Sequence, residues 1–297
     1  MHPTLKRYIM RPPLRSIVGV FYNALIATEL AGLRVGDCGA GYSACGVEKA
    51  PATGNWDGAS LEVLTALIKT FERPYAVRRL IASLRRLYPD LKLLVVDDSR
   101  TPRPLPGAEW LILPFDAGVS IGRSAGLKQV ETPFTLLLDD DFIFYRRSGL
   151  RAAFAALQRY PEIDIMGGKV LQLPHFHASD YRAAGLFPTA AQPVRPIGSM
   201  IGPFEVFDKV PNFYIARTER LRLVDWDSQI KRMDHADFFT RARGVLVSVY
   251  NPQLRCFHAQ TPFDAHYMQH RLDFVADELL LRRRYYGDAS SAPTDSE

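Results

Sequence analysis

Three adjacent carboxylates follow a run of strand-forming apolar residues. Residues 132–144 read TPFTLLLDDDFIF, so that the run from Phe134 to Leu138 leads directly into Asp139, Asp140 and Asp141. Open α/β sheets build ligand sites in this way, from side chains delivered by the carboxyl ends of buried strands. Adjacent carboxylates repel each other, and their oxygens suit Mg²⁺ or Mn²⁺ shared with substrate phosphates. The pattern predicts a metal site; the alternative is a polar turn, where Asp is common.

A second pair of carboxylates ends another apolar run, since residues 91–99 read LKLLVVDDS and close on Asp97 and Asp98. Apolar strand patterns alternate with helical ones before the DDD run, with strands at 61–71, 91–99 and 110–114 and helices at 75–87 and 118–130. Such alternation predicts a parallel sheet with right-handed crossovers. Both acidic strand ends then lie on one edge of the sheet, which indicates a nucleotide–metal crevice.

The succession of short motifs resembles a known family. After KTFERPYAVRRLIASLRRLYP come VVDDS, LPFDAGVSIGRSAGL and TPFTLLLDDDFIF, then VPNFYIART (210–218), WDSQIKRMDHADFF (226–239) and YNPQLRCFHAQ (250–260). Together they are similar to GT-A glycosyltransferases, in particular to β-1,4-N-acetylgalactosaminyltransferases of the GM2/GD2-synthase type, here in a bacterial form. The resemblance covers roughly 61–260. It departs at Ser124, where the family usually has Asn, and it is poor over 165–203, where acceptor specificity is expected.

The resemblance implies an α/β fold of the GT-A type, with a doubly wound, mostly parallel sheet flanked by helices. It divides the chain into an N-terminal extension of undetermined structure (1–60), a nucleotide-sugar-binding half (61–144), an acceptor and catalytic half (145–265), and a C-terminal helix with a tail (266–297).

The implied activity is that of an inverting, metal-dependent glycosyltransferase. It would move an N-acetylhexosamine, with GalNAc favoured, from a UDP-sugar to a glycan or glycolipid acceptor in a β linkage, with Mn²⁺ or Mg²⁺ as cofactor. One alternative is a sugar-nucleotidyltransferase. Enzymes of that class have a glycine-rich phosphate loop near the first strand, and the corresponding segment here, KTFERP, matches it poorly. The other is a non-catalytic nucleotide-sugar-binding protein, against which the intact Asp141, Asp237 and His258 argue.

The same resemblance assigns the donor site. Asp141 is the implied direct metal ligand, with His258 completing the metal shell. Asp139 is also implied in the metal site, nearer the ribose or a bound water. Each assignment has an alternative. Without the resemblance, a His at a strand end such as His258 is more often a structural residue. Arg123 would then be a surface charge on a helix. The full set of implied nucleotide-sugar-binding residues is Thr70, Glu72, Asp97, Asp98, Arg123, Asp139 and Asp140.

The acceptor hydroxyl needs a base, and the DHADFF segment offers one. Asp234 and Asp237 are spaced to lie on one helical face. Asp237 matches the acidic residue of the family's H-x-[DE]-F-F motif, which implies that it is the general base, with His235 orienting the base or the acceptor. The alternative is that both carboxylates only favour the dipole at a helix N-terminus. Trp226 is expected to pack beside the donor-sugar pocket, together with its neighbour Asp227.

Composition and charge are ordinary for a globular protein. Of the 297 residues 47% are hydrophobic and 23% charged, and the net charge is +5. Basic groups cluster near both ends, as Lys6, Arg7, Arg11 and Arg15 and as Arg282, Arg283 and Arg284 beside Tyr285 and Tyr286. They form either a solvated surface or a docking surface for anionic lipid or an anionic glycan. No nucleic-acid-binding motif is present, so no nucleic acid partner is expected.

The N-terminal apolar stretch from Ser16 to Leu33 is interrupted by polar residues, which makes a transmembrane helix unexpected. No convincing signal-peptide cleavage site follows it. An odd cysteine count, Cys38, Cys45 and Cys256, fits a reducing compartment. The expected location is cytoplasmic, with peripheral contact at the inner face of the membrane. The tail 287–297 is expected to be disordered.

Overall fold

The computed structural model describes residues 14–36, 60–181 and 185–287. The N-terminal basic residues Lys6, Arg7 and Arg11, the side chain of Arg15, Cys38, Cys45 and residues 288–297 lie outside the described part, together with the expectations attached to them. The first described element is helix α1 (Leu14–Gly36). It packs through Ile26 against an apolar cluster that includes Leu173 and Phe257, and Tyr22 meets the ring of Phe263 at 5.2 Å.

The first half of the described chain alternates strands and helices as the sequence predicts. Its elements are β1 (Leu64–Thr70), α2 (Pro74–Leu87), β2 (Lys92–Asp97), β3 (Glu109–Ile112), α3 (Val119–Gln129) and β4 (Phe134–Asp139). The strands pair in parallel in the spatial order β3-β2-β1-β4. The register places Thr70 opposite Asp97 and Lys69 opposite Asp139, so the acidic strand ends lie on one edge.

The second half extends the same sheet. Its elements are β5 (Phe142–Ile143), α4 (Leu150–Arg159), β6 (Ile165–Gln172), β7 (Met200–Ile201), β8 (Phe204–Val206), β9 (Tyr214–Arg217), α5 (Thr218–Arg222), α6 (Asp234–Ala242), β10 (Ser248–His258), α7 (Ala265–Arg271) and α8 (Val275–Tyr286). Strand β9 pairs antiparallel with β4 and β6, and β10 runs parallel to β6. Within the described ranges the result is one mixed sheet of ten strands.

Helices cover both faces of the sheet. The strands β1, β2 and β4 are therefore buried along almost their whole length, as their continuous apolar runs require. On one face the side chains of Leu64, Ala66 and Ile68 meet the apolar side of α2. On the other, Leu67 shares a cluster with Phe238, Phe239 and other residues of α3 and α6. This doubly wound arrangement is the predicted α/β class. None of the helices in the described segments combines the length and apolarity that a membrane crossing requires.

Candidate functional site

The carboxyl ends of β1, β2 and β4 open into a cleft formed by two adjoining cavities. One cavity, of about 350 Å³, contains the DDD run and His258. The other, of about 340 Å³, contains Asp98 and Gly118. Six residues line both cavities: Lys69, Phe71, Val119, Arg232, Tyr267 and Arg271. We call the two cavities together the cleft.

A buried arginine binds two of the three adjacent carboxylates. Arg73, which lies between β1 and α2, forms an ion pair with Asp140 and donates from Nη1 to Asp141 Oδ2 at 2.8 Å. Its guanidinium also lies 4.0 Å from the ring centre of Tyr267 on α7. Thr70 donates to the other oxygen of Asp140 at 2.7 Å. Burial, with the charge of Asp141 adding to it, raises the pKa of Asp140 to about 6, although Arg73 opposes this shift.

Asp141 and His258 lie together, as the sequence predicts for two ligands of one metal. His258 Nε2 is 3.1 Å from Asp141 Oδ1, because β5 pairs with the end of β10. Burial alone would lower the pKa of His258, but the carboxylate of Asp141 outweighs it and raises that pKa. The pKa of Asp141 is lowered: burial opposes this, and the charges of His258 and Arg73 exceed it.

The donor set can be tested against a divalent cation. In the described part of the chain, no group of three or more His, Cys, Asp or Glu side chains is arranged to hold a metal ion. However, the buried Asp141 Oδ1 makes no hydrogen bond of good geometry among the described residues, since its 3.1 Å contact with His258 Nε2 is a close approach only. A carboxylate oxygen without a partner beside an imidazole fits a cation that completes its shell with phosphate and water oxygens. The pair therefore fits a metal that is shared with a phosphorylated substrate.

Asp139 is turned toward a second buried arginine. Arg123 on α3, only 2% exposed, donates to Asp139 at 2.6 Å and to Asp234 at 2.5 Å. Its guanidinium also lies 5.9 Å from the ring centre of Trp226. Burial alone would lower the pKa of Arg123, but the two carboxylates outweigh it and raise that pKa. The structure thus separates Asp139 from the pair of Asp141 and His258, and it places Arg123 as a link between β4 and α6.

The two carboxylates at the end of β2, Asp97 and Asp98, face different cavities. Asp98 lines the cleft, where it pairs with Lys69 and accepts the backbone N–H of Gly118 at 2.8 Å. Asp97 instead lines a separate cavity of about 310 Å³ with Thr70, Glu72 and Trp110. The predicted nucleotide-binding residues therefore fall into two neighbouring groups on the same edge of the sheet.

Glu72 is held at the rim of the separate cavity by groups on two sides. Its carboxylate accepts the backbone N–H of Arg100 at 2.6 Å and pairs with His266 on α7. Burial alone would raise its pKa, but these bonds exceed that effect and lower it. Because α7 follows β10 directly in the chain, Glu72 joins the first strand end to the segment after His258.

Asp237, the predicted general base, does not line the cleft. It is 1% exposed and accepts three hydrogen bonds: from Arg241 at 2.7 Å, from Arg284 at 2.9 Å and from the hydroxyl of Tyr285 at 2.7 Å. A carboxylate with three such donors has little capacity left for a substrate proton. The contacts tie α8 to α6. The assignment of Asp237 as the base stays a prediction, and its surroundings do not favour it.

The neighbouring residues of the DHADFF segment do reach the cleft. Asp234 and His235 both line the cavity that holds the DDD run. His235 Nε2 lies 2.7 Å from the carbonyl oxygen of Val210, and burial lowers the pKa of this imidazole to about 3. At neutral pH the ring is therefore uncharged, and with Nε2–H donating to that carbonyl its Nδ1 is an acceptor.

Some residues of the cleft were not among the predicted site residues. They are Lys69, Arg73, Arg232, Tyr267 and Arg271. Lys69 lies in β1 directly before Thr70, and Arg73 lies three residues after Thr70, so their closeness to the end of β1 is a signal that could have identified them. No motif marks the last two, because they belong to α7, which reaches the cleft through folding of the chain after β10.

The sequence is similar to mammalian glycosyltransferases. It is 34% identical over 196 residues to β-1,4 N-acetylgalactosaminyltransferase 1 of Mus musculus, a match that covers 62% of this chain and 36% of that protein. The Homo sapiens enzyme of the same name is 35% identical over 196 residues, with the same coverage. β-1,4 N-acetylgalactosaminyltransferase 2 of Mus musculus is 30% identical over 200 residues, covering 62% of this chain and 37% of that protein. The chain spans about a third of the length of these relatives.

No protein-family model matches the chain. Among solved structures, S. aureus TarS 1–349 superposes with a TM-score of 0.52 at 17% identity, covering 75% of this chain and 72% of TarS. The same protein in complex with UDP-GlcNAc gives a TM-score of 0.50 at 17% identity over 65% and 57% of the two chains. Mannosyltransferase PcManGT from Pyrobaculum calidifontis, in complex with GDP-Man and Mn²⁺, gives 0.50 at 14% identity over 93% and 77%.

These comparisons confirm two of the predictions. The resemblance to β-1,4-N-acetylgalactosaminyltransferases, first seen in short motifs, is confirmed by identity over about two hundred residues. The GT-A-like α/β fold is confirmed by the structural neighbours, whose low identities show the fold alone.

Proposed function

We propose that this protein is a glycosyltransferase that moves an N-acetylhexosamine from a UDP-sugar to a glycan or glycolipid acceptor. One observation carries the proposal: the parallel strands β1, β2 and β4 bring Asp98 and the DDD run to one cleft beside His258. The relatives named as N-acetylgalactosaminyltransferases support a transferred GalNAc. The complex of TarS with UDP-GlcNAc supports a UDP-linked donor.

In this proposal the nucleoside lies along the ends of β1 and β2. Thr70, Glu72 and Asp97 line one cavity there, and Asp98 lines the cleft beside it. Carboxylates at these strand ends can accept hydrogen bonds from ribose hydroxyls and from the N–H group of a pyrimidine. The donor sugar would then extend toward Asp139 and Asp234, which Arg123 holds together.

Asp141 and His258 would hold the divalent cation, Mn²⁺ or Mg²⁺. When bound, such a cation acts as a Lewis acid that stabilises the charge growing on the departing diphosphate. Arg73 already supplies positive charge to Asp140 and Asp141, which lets these buried carboxylates stay ionised side by side. The Mn²⁺ in the PcManGT complex supports this cofactor.

The acceptor hydroxyl attacks the anomeric carbon of the sugar in one displacement, which inverts the configuration and gives a β linkage. A base must take the hydroxyl proton. Asp234 and His235 are on the wall of the cleft, whereas Asp237, the base implied by the motif, lies behind them with three donors on its carboxylate. The geometry therefore favours the first turn of α6, and within it the two residues that line the cavity.

The donor and the reaction type can be tested together. Purified protein is incubated with UDP-GalNAc, UDP-GlcNAc, UDP-Gal or UDP-Glc, with Mn²⁺ or with EDTA, and released UDP is measured. We expect Mn²⁺-dependent UDP release that is fastest with an N-acetylhexosamine donor. A sugar-nucleotidyltransferase would instead form UTP from the UDP-sugar and pyrophosphate, and a pure binding protein would release no UDP.

The acceptor and the location are also part of the proposal. A glycan or glycolipid acceptor, in some cases anionic, would enter beside Tyr181, whose ring lies 6.0 Å from that of His235. For an acceptor in a lipid bilayer, a cytoplasmic enzyme with peripheral contact at the inner face of the membrane fits the excess of basic residues. Co-sedimentation with acidic and with neutral vesicles at rising salt tests this contact, because screening weakens electrostatic binding.

A further inference from the structure

The charges around the cleft are unevenly balanced. On the side of the DDD run, the buried arginines Arg73 and Arg123 are each shared by two carboxylates. Lys69 has one carboxylate of its own, that of Asp98. Carboxylates therefore outnumber cations on this side, and each of the three cations has an acidic partner.

The part of the cleft around Asp116 is a basic side with the reverse balance. A single carboxylate, Asp116, is shared by Lys231 at 2.7 Å and Arg232 at 2.8 Å, with His270 3.9 Å away. Arg271 also lines the cleft, and its Nη1 donates to the neutral hydroxyl of Tyr267 at 3.2 Å. These described residues comprise three permanently charged cations and one carboxylate. The nearby carboxylate of Asp277, which accepts the backbone N–H groups of residues 231–233, still leaves an excess of positive charge.

Arg232 is the central residue of this basic side, and its backbone is fixed. The carboxylate of Asp277 on α8, only 3% exposed, accepts the backbone N–H groups of Lys231 at 2.9 Å, Arg232 at 2.5 Å and Met233 at 2.9 Å. The carbonyl oxygen of Lys231 in turn accepts the N–H of Val119 at 2.7 Å. Arg232 is therefore held between α8 and the start of α3.

The side chain of Arg232 is held only in part. Nη2 donates to Asp116, whereas Nη1 is buried and has no hydrogen-bond partner among the described residues. A buried guanidinium N–H without an acceptor is costly, and an anionic oxygen would satisfy it. Arg232 also lines both cavities of the cleft, so it is accessible to an anion bound in either one.

We propose that Arg232, assisted by Arg271, forms an anion-binding subsite that takes the diphosphate of the donor nucleotide. The planar guanidinium with two donor nitrogens suits phosphate oxygens, and Arg271 adds a second charge. The identity of the anion rests on the proposed function, whereas the anion site itself does not. The diphosphate then lies between a basic side, formed by Arg232 and Arg271, and an acidic side that binds a cation.

The test measures binding of three probes by isothermal titration calorimetry. Pyrophosphate in EDTA probes the anion site alone, and UDP and uridine in Mn²⁺ separate the contribution of the diphosphate from that of the nucleoside. The variant Arg232→Gln is compared with Lys231→Gln as the matched control. Lys231 pairs with the same carboxylate and loses the same charge, but it lines neither cavity. Thermal melts establish that each variant is folded, and Arg271→Gln serves as a second variant.

We expect Arg232→Gln to weaken pyrophosphate and UDP binding about 10- to 100-fold, the loss of one or two charge-assisted hydrogen bonds, with uridine binding changed less than about twofold. Arg271→Gln should weaken the same two probes in the same direction, and Lys231→Gln should change them less than about threefold. If pyrophosphate binding depends on Arg232 but UDP does not bind, the anion site stands and the proposed donor is wrong. If wild-type protein binds no pyrophosphate, or the folded variants of Arg232 and Arg271 bind it as wild type does, the subsite is refuted.

Discussion

Replacing Arg73 by Met is expected to cost more stability than breaking an ion pair elsewhere on this protein. The side chain of Arg73 is 8% exposed, and those of its partners Asp140 and Asp141 are 1% and 6% exposed. Methionine approximates the apolar stem but leaves the buried carboxylate of Asp140 without its counter-ion and that of Asp141 with His258 alone. Removing one partner from a buried ion pair costs about 3–5 kcal/mol, because the charge left behind is not solvated.

The matched control is Arg151→Met. Arg151 also forms a two-pronged pair, with Asp90 at 2.6 and 3.0 Å, but the two side chains are 23% and 25% exposed. Water solvates the remaining carboxylate there, so that a loss of at most about 1 kcal/mol is expected. The same substitution therefore separates the effect of burial from the effect of losing an arginine.

The assay is thermal and urea unfolding of both variants in EDTA, followed by titration with Mn²⁺. One kcal/mol shifts the melting temperature of a domain of this order of size by about 2–4 °C, so Arg73→Met should melt about 6–20 °C below wild type. A cation bound between the free carboxylates at a hundred times its Kd would restore about 2.7 kcal/mol. We therefore expect Mn²⁺ to stabilise Arg73→Met more than it stabilises wild type. A loss in Arg73→Met no larger than that in Arg151→Met would refute the reasoning.

Three further predictions concern the C-terminal helix and the first turn of α6. Asp277→Asn should lower the free energy of unfolding in urea by about 1.5–3 kcal/mol, since a charged acceptor of three backbone N–H groups is lost. The matched substitution of the exposed Asp273, Asp273→Asn, should leave that free energy unchanged. Asp237→Asn should lower the melting temperature while transfer by the folded enzyme stays within about tenfold of wild type; a drop of about 10²–10⁴ in turnover would restore Asp237 as the base. Burial lowers the pKa of His235 to about 3, against 6.5 for an imidazole in the unfolded chain, so the unfolded chain binds more protons between these values. Stability from this group is complete above pH 6.5, falls by about 1.4 kcal/mol per pH unit between pH 6.5 and about 3, and is lost below that. A His235→Gln variant whose pH dependence equals that of wild type would contradict this.

The strand ends of the site were predictable because they depend on local pattern. Apolar runs that stop at Asp97 and at Asp139 specify strands that are buried and parallel, and parallel strands place their carboxyl ends on one edge. The pairing of Asp141 with His258, implied by the family resemblance, also appears in the structure. It depends on the register of β5 against β10, which no short motif contains.

The directions of individual carboxylates were not predictable in the same way. Strand β4 ends at Asp139 and the chain turns at 140 and 141, so the alternation of side chains along a strand does not continue through the DDD run. Asp139 consequently meets Arg123, whereas Asp141 meets Arg73 and His258. A repeated residue type at a strand end indicates a site but not which of its members shares a ligand.

Asp237 shows a second limit of sequence reasoning. Its motif position implies catalysis, but two of its three donors, Arg284 and Tyr285, lie 47 and 48 residues further along the chain. A contact across that distance depends on how α8 packs against α6, which composition and spacing do not determine. The basic residues near the C-terminus were interpreted as a surface cluster for the same reason, although Arg284 pairs with Asp227 at 2.6 Å as well as with Asp237.

The most direct test of the central claim is UDP release from UDP-GalNAc by wild type and by Asp141→Asn, each in Mn²⁺ and in EDTA. Asparagine keeps the size of the side chain and removes the charge that would hold a cation beside His258. We expect release by wild type in Mn²⁺, little release by wild type in EDTA, and release by folded Asp141→Asn in Mn²⁺ that is at least about a hundredfold below that of wild type. Equal release by wild type and variant in Mn²⁺, or full activity of wild type in EDTA, would contradict a metal-dependent glycosyltransferase site at this cleft.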